Sequence, residues 1–428
     1  MYVKLCSMNK EYVSYDSESI ERAIRGYYRS GAFEIGLDGS FNQNIAQLSI
    51  KDQGTFLHEY VHFMQNIATP WGIFAAIARN NDLAEFVHSI EKESTITIPY
   101  EVTPSTEQLT LKNWLCCSLG TIHSDADIDI TRMISFQFSE IIGFKCKMHE
   151  VRMLVPKKGG GYEPIVLGAG IINECMAAMY QSLINPNATH PDIPYNVVQI
   201  LCRQHFKQIA DDKIKLICIC YIALFSLDPG YSFMHLLREA CIYPDKTGWQ
   251  MLEEYSHLLM KQGDRDVVVE EFYNGMEDTY KMALRAVLPI EPKYMIGLID
   301  RMKMKNGRVA LLEILKSVPF TTEHIQILVD NIGIPYIHTN GGHSFYPYSQ
   351  ETGGAAQDII IMCGNYVMHE FFTHPEPSRI GICPFSFVCN FPESECYDAP
   401  WNVNIKGCTF DVGLQSIHAK GKAFRIKR

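Results

Sequence analysis

The chain has 428 residues, 47% of them hydrophobic and 11% aromatic, enough for one large ordered domain or two to three smaller ones. A formal net charge of −10 argues against nucleic acid and anionic membrane as general partners. The longest apolar run, residues 216–227, is too short to cross a bilayer and reads as a buried helix. Residues 1–11 show no secretory leader, so the fourteen cysteines imply a reducing compartment, and a cytoplasmic location with buried thiols such as Cys218 and Cys220 is expected.

In chain order, a short helix is expected over 18–30, then a hairpin over 32–52. Phe33, Ile35 and Leu37 alternate with Glu34 and Gly36, Asp38-Gly39 marks a turn, and Ala46, Leu48 and Ile50 return. The edge of such a pair could receive an extended substrate, although a plain structural hairpin explains it equally well. Residues 54–71, GTFLHEYVHFMQNIATPW, form a helix stopped by Pro70. Phe56, Tyr60, Met64 and Ile67 make its apolar stripe, flanked by Leu57, Val61 and Ala68. His58, Glu59, His62, Gln65 and Asn66 lie opposite. Further helices are expected over 73–91 and 109–119. A hairpin over 147–167 places Val151, Met153 and Val155 on one face and turns at 157–161, leading into a helix over 168–184. From 194 to 331 the pattern is helical, including segments 247–262 and 265–287. Residues 332–428 turn irregular and rich in Gly, Pro, aromatics and Cys.

Within the first strong helix stands His58-Glu59-Tyr60-Val61-His62. Residues four apart project from one helix face, so both imidazoles can reach one metal ion, and Glu59 beside them can take a proton from an activated water. An ordinary solvated helix would carry Lys or Arg on that face, and none occurs between Lys51 and Arg79. Catalytic zinc takes three protein ligands. Glu174 is the main candidate for the third, because it sits between Asn173 and Cys175 in an otherwise apolar helix, where an unpartnered Glu is seldom buried. Gly170, Ala177 and Ala178 share its face and would let the two helices approach. His149 and His343 are the alternatives.

The HExxH string followed by a helical Asn173-Glu174-Cys175-Met176-Ala177 resembles the gluzincin metallopeptidases. The resemblance covers the two motif helices and the stretch between them. It implies a Zn²⁺ ion held by His58, His62 and Glu174, with Glu59 as general base. Two departures stand out. His62 and Glu174 are 112 residues apart, and Ala178 occupies the place where thermolysin-like members carry an acid four residues after the ligand Glu. The ligand set therefore transfers, whereas the outer contacts and substrate class do not.

The expected fold class is α+β: a zincin-like core over 1–190 with a small sheet, a helical lobe over 191–331, and a Cys- and aromatic-rich region over 332–428 packed on the core. Gluzincins place a Tyr or His over the oxyanion, so His343 and Tyr346 in the loop 334–348 are candidates for that role, against the plainer reading of a structured surface loop. Cys383, Cys389, Cys396 and Cys408 lack C-x₂-C spacing, and a second zinc is not expected there. The expected function is a zinc-dependent peptidase of narrow specificity acting on a protein or peptide. Its rivals are a binding or regulatory protein on the same fold, which the intact Glu59 disfavours, and a zinc hydrolase of another amide.

Overall fold

The structure, a computed structural model, describes residues 26–122, 130, 135–143, 146–157, 159–262, 264–316, 319–340, 343–349, 353–375, 383–385, 400–402 and 408–427. It opens with strand β1 (Gly26–Arg29) paired antiparallel to β2 (Glu34–Leu37). This corrects the helix expected up to residue 30: 26–29 are extended, with Tyr27 and Tyr28 suited to a pleated surface, while 18–25 lie outside the described residues. The hairpin expected over 32–52 is also corrected. Ile45–Gln47 is a 3₁₀ turn, and Ser49 caps helix α1 (Ile50–Ala68) by accepting from the Asp52 N–H at 3.1 Å. Strand β2 pairs instead, in parallel, with a strand 300 positions later, β9 (Tyr336–Thr339), which carries β10 (Ser344–Phe345) on its far side. Ile35 and Ile337 face each other in that register and are both buried.

Helix α1 buries the expected stripe completely: Phe56, Leu57, Tyr60, Val61, Met64, Ile67 and Ala68. At its end Thr69 serves two helices. Its hydroxyl donates to the Gln65 carbonyl at 2.8 Å and accepts from the Gly72 N–H at 3.0 Å, and Pro70 opens α2 (Pro70–Lys92). The chain continues through β3 (Thr95–Ile98) and α3 (Thr106–Leu119). An antiparallel sheet follows, of β4 (Ser135–Gly143), β5 (Cys146–Pro156) and β6 (Tyr162–Leu167). Val151, Met153 and Val155 of β5 are buried as their alternation requires.

Helix α4 (Ala169–Ile184) runs antiparallel to α1: Gly54 lies against Gln181 and Asn185, while the Gln65 side chain reaches the Asn173 carbonyl. Gly54 permits this contact, since a Cβ there would stand 3.0 Å from the Asn185 Cβ. Gly170, expected to serve that purpose, instead abuts Leu119 and Ile122.

The helical stretch comprises α5 (Val197–His205), α6 (Lys213–Ala223), α7 (Pro229–Ile242), α8 (Gly248–Ser256), α9 (Val269–Val287), α10 (Lys293–Arg301), α11 (Ala310–Glu313) and α12 (Thr322–Ile332). It is interrupted where continuous helix was expected: β7 (Leu259–Gln262) and β8 (Arg265–Val268) form a hairpin. Residues 216–224 are buried throughout, and the Tyr221 hydroxyl donates to the Ala68 carbonyl at 2.7 Å, tying α6 to the end of α1. Past β10 come the short pair β11 (Tyr348–Ser349) and β12 (Gly354–Ala355), a helix α13 (Gln357–Thr373) that composition had masked, α14 (Thr409–Ser416), and β13 (Ala423–Ile426), which pairs in parallel with β3. The architecture is mixed α+β, and among the described residues no helix is long and apolar enough to cross a membrane.

Candidate metal centre

Because His58 and His62 are one helical turn apart on α1, their rings leave the same face. The antiparallel α4 brings Glu174 against that face across a separation of 112 residues. The Nε2 atoms of His58 and His62 are 3.2 Å apart, and Oε2 of Glu174 lies 3.3 Å from the first and 3.2 Å from the second. Bonds of about 2.0–2.1 Å in a tetrahedral shell place ligand atoms about 3.3–3.4 Å apart, so these three already have the spacing of one face of such a shell. Among the described residues they are the one group of His, Cys, Asp and Glu side chains that could hold a metal ion.

The electrostatics agree with the geometry. Burial opposes charge on His62, but the Glu174 carboxylate, Glu59 and the bond to Gln65 outweigh it and lift the imidazole to about 9. Burial likewise opposes ionisation of Glu174, yet His62 and His58 hold its carboxyl far below the usual range. A field that favours an extra proton on His62 favours a cation in its place. Two imidazoles and one carboxylate also make a donor set suited to zinc and its first-row neighbours.

Around the three lie residues that orient them. Gln65, one turn beyond His62, places its Oε1 2.8 Å from His62 Nδ1, and its Nε2 donates to the Asn173 carbonyl at 3.1 Å. It therefore fixes the imidazole and joins the two motif helices next to Glu174. The sequence put Gln65 on the polar face without a role, although its i+3 spacing from His62 was readable. Glu59 is buried under β1, packed against Gly26; burial raises its carboxyl above the usual range, the two histidines opposing and Glu174 assisting. His190 and Tyr195, in the loop between α4 and α5, pack on His58: each ring centre lies 5.7 Å from the His58 ring, and the two stack on each other at 4.8 Å. Burial and the neighbouring His58 hold His190 down at about 4. Neither residue stands out in the sequence, where the readable signal is a His and a Tyr bracketing two prolines just past the Glu174 helix.

The alternative ligands lie elsewhere. His149 Nδ1 is 3.1 Å from Asp228 Oδ2, and its ring stacks on Tyr231 at 4.3 Å. His343 is exposed in the turn between β9 and β10, where its carbonyl accepts from the Thr339 N–H at 2.9 Å. Tyr346 is exposed, with its ring 5.1 Å from that of Tyr336. No contact among the described residues joins His343 or Tyr346 to the three ligands. Among the described residues Cys383 and Cys408 belong to no metal-ligand group, and Cys389 and Cys396 lie outside the described residues.

No protein-family model matches the chain, and no curated protein or solved structure matches it either.

Proposed function

We propose that the chain is a zinc-dependent peptidase with a gluzincin-type core, in which His58, His62 and Glu174 hold the ion. The observation that carries this reading is the convergence of three ligand atoms at tetrahedral spacing, with a buried carboxylate, Glu59, on the same helix beside them. When bound, zinc supplies a Lewis acid that polarises the scissile carbonyl and lowers the pKa of water to about 7. Glu59 takes the proton of the attacking water and delivers it to the leaving amine. Gln65 keeps the His62 ring aimed at the site. Strand β1 lies at the edge of the described sheet with Gly26 against Glu59, which supports an extended peptide running along that edge past the base. His343 and Tyr346, the oxyanion candidates of the sequence, are exposed and make no contact with the three ligand side chains among the described residues, so the reading rests on the ligand set and Glu59.

The test is cleavage of a broad peptide library by zinc-loaded protein, read as new termini by mass spectrometry. Glu59→Gln should lower turnover by roughly 10²–10⁴-fold while retaining zinc, because it removes a base and not a ligand. New termini in equal yield from wild type and variant would refute the role of Glu59. Their absence from both, with zinc bound, would favour a protein that binds and does not hydrolyse.

A further inference from the structure

We infer that His190 is the outer hydrogen-bond partner of His58, accepting on its Nε2 the Nδ1–H that His58 carries when its Nε2 faces a cation. The inference rests on the metal reading above and names a residue which that reading lacks. A metal-binding imidazole coordinates through one nitrogen and keeps its proton on the other, and that N–H is normally held by an acceptor. His62 has such an acceptor in Gln65 Oε1. Nδ1 of His58 is buried with no hydrogen-bond partner among the described residues. Ala178, where thermolysin-like members carry an acid, has no polar side-chain atom to offer.

His190 Nε2 is the matching atom, because it too is buried with no partner among the described residues. Its ring centre is 5.7 Å from that of His58, with the planes 28° apart. The two rings are stacked side by side, and a ring rotation that aims these two unpartnered nitrogens at each other would form an N–H···N bond. His190 lies outside the group whose ligand atoms fall within 4.8 Å of one another, so it is a neighbour of the site and not a fourth ligand. Its loop is held in place. The Cys175 thiol, next to Glu174, donates to the Pro194 carbonyl at 3.0 Å. The Asn196 amide donates to the His190 and Pro191 carbonyls at 3.3 and 3.4 Å. Tyr195 stacks on the imidazole. The acceptor therefore comes from the loop that follows the ligand helix, supplied by a neutral His protonated at Nδ1.

Zinc dissociation constants, measured by chelator competition on the full chain, test this positioning role. His190→Phe, which keeps a ring and loses the acceptor, should weaken zinc binding 10–100-fold, the usual effect of losing an outer partner. His190→Gln, which restores an acceptor, should recover most of that loss. Wild-type affinity in His190→Phe, or equal losses in the Phe and Gln variants, would overturn the inference. A second measurement needs no variant. In the zinc-loaded wild type with ¹⁵N-labelled histidine, the His58 Nδ1 proton should be protected from exchange and coupled to His190 Nε2, and its absence would also overturn the inference. If wild type binds no zinc, the metal reading fails with it. If wild type binds zinc and Glu174→Ala does not, while His190→Phe is unaffected, this inference alone fails.

Discussion

Two clusters among the described residues combine histidine with a buried carboxylate, and they are built in opposite ways. On the outer face of the first sheet, Glu34 meets Arg29 Nη1 at 2.6 Å and His338 Nδ1 at 2.9 Å, and His338 Nε2 lies 3.0 Å from the Tyr27 hydroxyl. Burial opposes charge on Glu34, but Arg29 and His338 hold its carboxyl below the usual range. The cation there belongs to the fold, and the polar atoms bond to one another in a chain. In the seam between α1 and α4 no Arg or Lys among the described residues answers Glu174, and three candidate ligand atoms converge on one spot. A site for an added cation is recognised by that convergence, and the mere presence of His and Glu is not enough. Glu277 is a third case: buried, with neither carboxylate oxygen hydrogen-bonded among the described residues.

The largest expected effect separates the first two clusters. Glu174→Ala should weaken zinc binding by at least about 10³-fold, since loss of an outer partner alone costs 10–100-fold. Glu34→Gln should leave zinc binding unchanged. Elemental analysis and chelator competition on both variants check this, and zinc retained by Glu174→Ala would erase the contrast.

Next in size is the buried carboxylate of Glu277. Burial lifts Glu277 from 4.5 to about 7, with Asp300 assisting and Tyr273, Lys281 and Lys303 opposing. Its pKa is higher in the folded chain than in the unfolded one, so folding favours the protonated form. The Glu277 contribution to stability is fully present below about pH 4.5 and is lost as pH rises towards 7, by about 3 kcal/mol in all. Urea unfolding at pH 5 and pH 8 should show Glu277→Gln losing about that much less than wild type across the interval. Parallel losses would mean that Glu277 is already charged at pH 5.

Glu34→Gln sharpens the comparison from the structural side. It should destabilise the fold by about 2 kcal/mol at neutral pH, a value discounted because Arg29 is partly solvated. Since the Glu34 carboxyl sits below its ordinary value, its contribution is present above pH 4.5 and lost as pH falls through the folded value. Urea midpoints of wild type and variant should therefore differ at pH 7 and converge as pH falls through that folded value. The smallest effect is at Gly26. A Cβ there would stand 2.9 Å from Glu59 Cγ and 3.0 Å from its Oε1. Gly26→Ala should lower kcat about tenfold by moving the base, with zinc content unchanged. Unchanged kcat would show that Glu59 has room to shift.

The sequence alone determined the features set by local periodicity. The α1 stripe, the stop at Pro70, the β5–β6 hairpin and the α4 helix each follow from side-chain spacing within one element, and all are present. The HExxH spacing put two candidate metal-binding imidazoles and a neighbouring carboxylate on one helix for the same reason. Isolation of Glu174 in an apolar helix marked the third, because an unanswered buried charge is costly wherever the chain folds. Only the tertiary structure decided the partners that are distant in sequence. The pairing of β2 with β9, the approach of α1 to α4 through Gly54 and not Gly170, and the packing of His190 on His58 depend on which surfaces meet after collapse. Ile35 alternates correctly for a strand, yet nothing near it names Ile337. The polar residues of 334–348 look like a site in one dimension, whereas in three the Glu34–His338–Tyr27 chain lies on the outer face of the sheet and the ligand seam gathers its neighbours from the loop after α4. Periodicity records which face of an element is buried, and only packing determines what that face is buried against.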